Sequence, residues 1–249
     1  MGIQNKEGND PPVLPGLEEF ASSAPSPRAT QIRHPRDLYN LRLLAGLTRA
    51  DAYGFPVLKG YMPKHISRPL AFHEARALYR RKKSLRGYFV HFFIEDEKFE
   101  CIRKSPKRYT AMLKAADFII APDFSTYRNY PFPVLVKNAF DNLLLGCYFE
   151  REGIAVVPNI IWSRPMFYDF TFSGQPKEAV ICISSISVRL TDKKGIQHWL
   201  HGYKEAIERL RPKKVIRIGK IIPGEEEIFS DPIRVATENP YVKRLRHGR

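Results

Sequence analysis

From residue 69 onward, short apolar runs alternate with helix-length stretches, and this rhythm restricts the fold more than any other feature. "PLAF" at 69–72 precedes the basic "HEARALYRRKK", and "GYFVHFFIED" at 87–96 precedes "SPKRYTAMLKAA". "DFIIAPD" at 117–123 leads through a proline-rich exit into the long "FPVLVKNAFDNLLLGCYFERE" of 132–152, closed by Gly153. "GIAVVPNIIW", "EAVICISS", "KKVIRIGK" and "PIRVATE" continue the series, with "KGIQHWLHGYKEAIERLRP" between the second and third. Near-continuous apolar runs are the signature of strands buried on both faces. In 194–212, Ile196, Trp199, Leu200, Tyr203, Ala206, Ile207 and Leu210 recur at helical spacing and define one buried stripe. Strand, helix, strand with short links is the βαβ pattern of parallel sheets. The expectation is an α/β protein with a mainly parallel sheet of six or seven strands, including 88–94, 117–122, 154–159, 179–184, 214–219 and 233–237. Two architectures satisfy it: an irregular TIM-like barrel and an open doubly wound sheet.

Four segments follow from this. Residues 1–30, rich in proline, serine and acids, have too little apolar surface to offset ordering entropy and read as a disordered leader. Residues 31–68 are a helical and irregular segment, in which 36–50 is expected to be a helix with Leu38, Leu41, Leu44 and Leu47 on one side. Residues 69–241 form the α/β core, and 242–249 a basic tail. Cys101, Cys147 and Cys182 are far apart in sequence and suggest neither a disulfide framework nor a zinc ribbon, which points to a reducing compartment. No apolar run approaches the roughly 20 residues of a membrane span. A cytoplasmic protein with no membrane partner is the expectation.

In parallel α/β sheets, ligands gather at the carboxyl ends of the strands. Those ends carry Glu95 and Asp96, then Asp123 and Ser125, Asn159 and Trp162, Ser184, and finally Lys220. Asp123 and Asn159 each follow a proline in an otherwise apolar run, and proline fixes the direction of the chain into the next residue. Asp123 with Glu95 or Asp96 is a candidate pair for acid/base or nucleophilic work, or for holding Mg²⁺ through oxygen ligands. His198 and His201 are read as solvated and His91 as a core histidine. No glycine-rich nucleotide fingerprint, zincin or nucleophile-elbow motif is present, so no standard cofactor or resident metal is expected.

The formal charge of +15 favours an acidic partner, DNA or RNA first. Arg80, Arg81, Lys82 and Lys83, with Lys107 and Arg108, are the candidate phosphate contacts. Tyr79, Tyr109, Tyr127 and Tyr130 lie near basic residues, where they could stack on bases.

Taken together, "VHFFIEDEKFE", "APDFSTY", "GIAVVPNIIW" and the "FSGQP…ISS" stretch resemble domain-of-unknown-function family 4417, found in phages and mobile elements. The resemblance covers roughly residues 53 to 241 and implies a set of shared positions. These include Glu95, Asp96, Phe99, Pro122, Asp123, Phe124, Ser125, Asn138, Gly153, Pro158, Asn159, Trp162 and Gly174. The chain departs from the pattern at Asp141 and around Trp162, where the family tends to carry an arginine and a Gly-Asp. The strand order is also similar, distantly, to barrel-type base transglycosylases, although no second aspartate for a covalent role is apparent. The resemblance implies a phage or mobile-element setting; with the basic charge and the polar strand ends, the expectation is a protein associated with nucleic acid, with a polar pocket of Asp123, Asp96, Glu95, Ser125, Asn138, Asn159, Trp162 and Ser184. A nucleotide- or base-modifying enzyme and a non-catalytic module that binds a host protein are the alternatives.

Overall fold

The computed structural model describes residue 37, residues 39–50 and residues 53–236. The leader of 1–30 and the tail of 242–249 lie outside the described residues. Along the chain come β1 (Arg68–Ala71), α1 (Phe72–Arg80), β2 (Tyr88–His91), α2 (Glu100–Lys104), α3 (Lys107–Lys114) and β3 (Phe118–Ile120). There follow α4 (Phe132–Arg151), β4 (Val156–Val157), α5 (Tyr168–Thr171), β5 (Val180–Ser184), α6 (Lys193–Leu210), β6 (Lys214–Ile218) and β7 (Ile233–Val235).

Every pair of these strands is parallel, as the alternation predicts. The expected single sheet is nevertheless corrected: the strands form a four-stranded sheet, β1-β2-β3-β4, and a three-stranded one, β5-β6-β7. The cause is local. Pro158 has no N–H, and its side of the chain faces β5, so a rung of the ladder is missing there. What remains is one parallel bridge, Asn159 to Cys182. Its two hydrogen bonds run from Cys182 N–H to the Pro158 carbonyl (2.8 Å) and from Ile160 N–H to the Cys182 carbonyl (2.9 Å). Strand order follows chain order within each sheet, so neither contains the reversal that defines a doubly wound sheet.

Alternation along the strands sorts side chains into layers. Phe89, Phe118, Ile120, Val157, Val180, Cys182, Ile216 and Ile218 form one cluster drawn from both sheets. Val90, Ile119 and Val156 point the other way, into the cluster that includes Leu113, Leu143 and Phe149. Ile181, Ile183 and Val215 pack against Trp199, Tyr203, Ala206 and Leu210 of α6, the stripe read from the sequence.

The long helix α4 ends as its sequence predicts. Gly153 takes φ +80°, Ile154 N–H bonds to the Phe149 carbonyl (3.0 Å) and Gly153 N–H to that of Glu150 (2.9 Å). This is the Schellman closure, which glycine adopts without steric cost. The N-terminal expectation is corrected. Instead of a helix over 36–50, the described residues contain a single 3-10 turn, Leu41–Leu44. Asn40 stands in the left-handed region, and the Asp37 carboxylate accepts from the amides of Leu41 (2.8 Å) and Arg42 (3.0 Å). The leucines recur every third residue, the repeat of a 3-10 rather than an α-helix. Leu43 and Leu44, with Phe55 and Leu58 from the next segment, are buried in the same cluster as α4.

Candidate functional site

Parallel pairing brings the carboxyl ends of β2, β3 and β4 to one edge. Asp123 leaves β3 there and turns inward. Its Oδ1 accepts a hydrogen bond from Asn159 Nδ2 (2.8 Å), and the same amide donates to the Pro122 carbonyl (3.3 Å). Among the described residues no cation pairs with Asp123, and its second oxygen accepts no hydrogen bond. Burial pushes the carboxyl up to about 7; the Asn159 bond opposes this and the Asp96 charge adds to it. Cys182, buried on β5, is close enough that Asp123 helps hold its thiol protonated, after burial itself.

Asp96 reaches the same loop from the 3-10 turn after β2. Its two oxygens accept from Ser125 N–H (3.2 Å) and Ser125 Oγ (3.0 Å). Burial raises its pKa against those two bonds and the charge of Arg103. Ser125 is therefore the partner of Asp96. The backbone between Asp123 and Ser125 is gripped from α4. Asn142 Oδ1 accepts from Phe124 N–H (2.7 Å) and its Nδ2 donates to the Phe124 carbonyl (3.1 Å). Asn138, one turn earlier, donates to the Ser125 carbonyl (2.7 Å) and accepts from Arg103 (3.0 Å). Arg103 lies over the Phe124 ring at 3.6 Å and pairs with Asp141 at 2.7 Å. The loop after Asp123 is thus tied to α4 through the backbone of Phe124 and Ser125.

The other candidates stand elsewhere. Glu95 pairs with Lys98 at 2.6 Å. Ser184 accepts at Oγ from Ile186 N–H (3.2 Å), and its carbonyl accepts from Trp199 Nε1 (3.1 Å), so it shapes the turn after β5. Trp162 lies apart from Asp123 in an aromatic layer. Its ring is 6.4 Å from that of Tyr203 at 3° and 5.6 Å from that of Trp199. Its indole rests on Gly202, where a Cβ would overlap the ring. Gly202→Ala is expected to overpack this contact and cost about 1–3 kcal/mol, a drop of several degrees in a calorimetric melt. An unchanged melting temperature would mean that the ring moves aside freely.

Arg80 closes α1, and Arg81, Lys82 and Lys83 follow it, all exposed. Because α1 leads back to the start of β2, these groups lie at the amino edge, across the sheet from Asp123. Lys107 and Arg108 instead open α3. His91 is buried, accepts from Phe93 N–H (3.3 Å), and is held neutral down to about 4, chiefly by burial. His201 bonds Tyr168 at 2.9 Å. All three cysteines are free. No three His, Cys, Asp or Glu side chains among the described residues cluster as a metal site. Asp123 and Asp96 are the carboxylates at this edge that would give oxygen ligands to Mg²⁺, and Ser125 donates to both oxygens of Asp96. No helix among the described residues is long and apolar enough to cross a membrane.

Sequence reasoning missed Asn142, Cys182 and Gln175, which lines a small cavity behind Asn159. Asn142 had a signal, a polar residue four positions after Asn138 in an apolar helix. Cys182 had none, because its partner comes from another strand.

With this geometry in place, the family description "Domain of unknown function (DUF4417)" matches residues 48–235. The chain belongs to the DUF4417 family. Among curated proteins it is similar to the Gene 1 protein of Mycobacterium phage D29, 30% identical over 187 residues, covering 74% of this chain and 66% of that protein. It is likewise similar to the Gene 1 protein of Mycobacterium phage L5, 29% identical over 187 residues, covering 74% of this chain and 78% of that protein. No solved structure matches. The DUF4417 match takes in the whole loop from Pro122 to Tyr130 and both sheets. No base transglycosylase is among these relatives.

Proposed function

We propose that the pocket around Asp123 binds a nucleobase or nucleotide and that Asp123 exchanges a proton with it, in a protein that works on nucleic acid. The observation that carries this reading is the state of Asp123. One oxygen is fixed by Asn159, and among the described residues the other accepts no hydrogen bond and no cation pairs with the carboxyl, whose proton affinity sits near neutrality. Such a carboxyl can give a proton to a ring nitrogen or leaving group and take one back at the same pH. Covalent catalysis by Asp123 would call for a second, free carboxylate as the acid. Asp96 is engaged with Ser125 and Glu95 with Lys98, so acid–base work is favoured over a transglycosylase-like route. Tyr127 and Tyr130 meet edge to face (5.3 Å) in the exit loop, and Tyr127 is 48% exposed, a surface suited to stacking. We read the two parallel sheets as arcs of one irregular barrel, because a single inner cluster runs across β2 to β6.

Arg80, Arg81, Lys82 and Lys83 would add phosphate contacts for longer strands, from the edge away from Asp123. Calorimetry with nucleobases, nucleotides and short single-stranded DNA and RNA tests the proposal. The wild type is expected to bind a nucleobase or nucleotide, and folded Asp123→Asn to bind it at least about tenfold more weakly, the loss of one charge-assisted bond. Neutralising Arg80–Lys83 should weaken strands, with a flatter salt dependence, and leave mononucleotides unaffected. Absence of binding at low salt, or equal binding by Asp123→Asn, would sink the proposal; the first outcome turns attention to a protein partner.

A further inference from the structure

Asn159 can aim its N–H groups at Asp123 only if something holds its amide the right way round. Nδ2 is committed to Pro122 and Asp123. Oδ1 is buried and has no hydrogen-bond donor. A buried carbonyl oxygen left without a donor is costly, and the cost disappears if a donor is supplied. Asn159 lines a small cavity, about 10 Å³, with Leu58, Asn142, Thr171 and Gln175 among its walls.

Asn142 and Thr171 do not supply the donor. Asn142 spends both ends of its amide on the Phe124 backbone. Thr171 Oγ1 donates to the Ile161 carbonyl. Gln175 presents a second buried acceptor, Oε1, which also has no partner. Its place is set by the backbone: Gly174, at φ +68°, accepts from Leu58 N–H (3.0 Å) and sits so close to Pro56 that a Cβ would strike the Pro56 carbonyl. Two residues with donor-less oxygens line one cavity of this size, and a single water, with two hydrogens to give and a need for about that volume, would satisfy both.

We propose that a buried water bridges Asn159 Oδ1 and Gln175 Oε1, and that Gln175 acts through it as the positioning residue for Asp123. The water fixes Asn159 with Nδ2 toward the carboxyl, and by donating to Oδ1 it polarises the amide and strengthens that N–H bond. The bond favours the ionised carboxyl. Gln175 therefore tunes the proton affinity of a group it does not touch. This rests on the reading of Asp123 as a titrating site residue.

Two measurements test it, neither needing a known substrate. A high-resolution crystal structure of the full chain should show one ordered water within hydrogen-bond distance of both oxygens. Carbon-13 NMR titration should place the Asp123 midpoint higher in Gln175→Met than in wild type, by about half a pH unit or more, the effect of a weakened hydrogen bond to the ionised form. Thr171→Val, which alters the same cavity wall, serves as the control and should change stability without that shift. An empty cavity, or an unmoved midpoint in folded Gln175→Met, overturns the proposal while leaving Asp123 as a site. A wild-type midpoint in the ordinary carboxylate range overturns both. If Gln175→Met does not fold, the crystal structure alone decides.

Discussion

Asp123→Asn is expected to melt higher than the wild type at pH 8, by about 5 °C or more, and at the same temperature near pH 4. The native carboxyl titrates near 7, the unfolded one near 3.8. A folded-state pKa raised in this way means that the native protein holds the proton more tightly. Stability is then full below the unfolded pKa and is lost as pH rises toward 7. The loss amounts to a few kcal/mol, and in a chain of this size each kcal/mol is worth roughly 2–4 °C. Asparagine still accepts from Asn159 and carries no charge, so it escapes the loss. Site residues often cost stability in this manner.

His91 slopes the other way. Burial depresses it from 6.5 to about 4, so the native protein refuses a proton that the unfolded chain accepts, and stability rises with pH between those values. In the wild type the two slopes oppose each other from about pH 4 to 6.5. Removing Asp123 should therefore expose a rising stability profile that the wild type conceals. A melt series of both proteins from pH 4 to 8 measures this. If Asp123→Asn is less stable at every pH, the carboxyl is a structural cap and the functional reading of Asp123 fails.

The second large effect belongs to Glu225. Its carboxylate accepts from Arg217 Nη2 (2.7 Å) and Nε (3.1 Å), from Arg234 Nη1 (2.5 Å) and from Ile222 N–H (3.2 Å). Glu225 and Arg217 are each 2% exposed. Arg217 lies over the Trp199 ring at 4.5 Å and donates to the carbonyls of Ile218 (2.7 Å) and Lys220 (2.8 Å). Glu225→Ala would leave a guanidinium inside the protein without its counter-charge, a change that costs about 3–5 kcal/mol. A fall of roughly 10 °C is expected in a calorimetric melt. The double variant Arg217→Met with Glu225→Leu should recover much of it, because the penalty comes from the stranded charge more than from the lost pair. Equal losses in the single and double variants would show that the hydrogen bonds themselves hold β6 to the loop before β7. Burial would raise the Glu225 carboxyl, but Arg234 and Arg217 outweigh it and leave it lowered. Its contribution is thus present above the unfolded pKa and lost in acid.

Much of the scaffold could be read from the sequence because it rests on periodicity. The stripe from Ile196 to Leu210 describes one helix face, and the apolar runs describe strands buried on both faces. The break between β4 and β5 depends on which neighbour the missing N–H of Pro158 would have served, and pairing direction is not a property of one segment. The leucines at 38, 41, 44 and 47 pass for one side of a helix, but their repeat is three, that of the 3-10 turn found at Leu41–Leu44. At the site, Asp123 and Asn159 were legible as polar residues after a proline at a strand end, and the structure brings them to 2.8 Å. The same rule points to Trp162 and Ser184, yet the exit after β4 carries Trp162 into the layer with Trp199 and Tyr203, and Ser184, still in β5, shapes the turn that follows it. Asn142 and Gln175 act across elements, and nothing in their own neighbourhoods announces it.

The seam at Pro158 has a consequence for cooperativity. Among the described residues, two backbone hydrogen bonds join the segment after β4 to β5, so local opening there would part the two sheets at the cost of few ladder bonds. Asp123 and Asn159 belong to the four-stranded side and Cys182 to the three-stranded side. On the proposed reading, a ligand that bound Asp123 and also touched the three-stranded side would act as a clasp. Its binding free energy would add to this junction, and occupancy would be read as slowed amide exchange at Ile160 and Cys182.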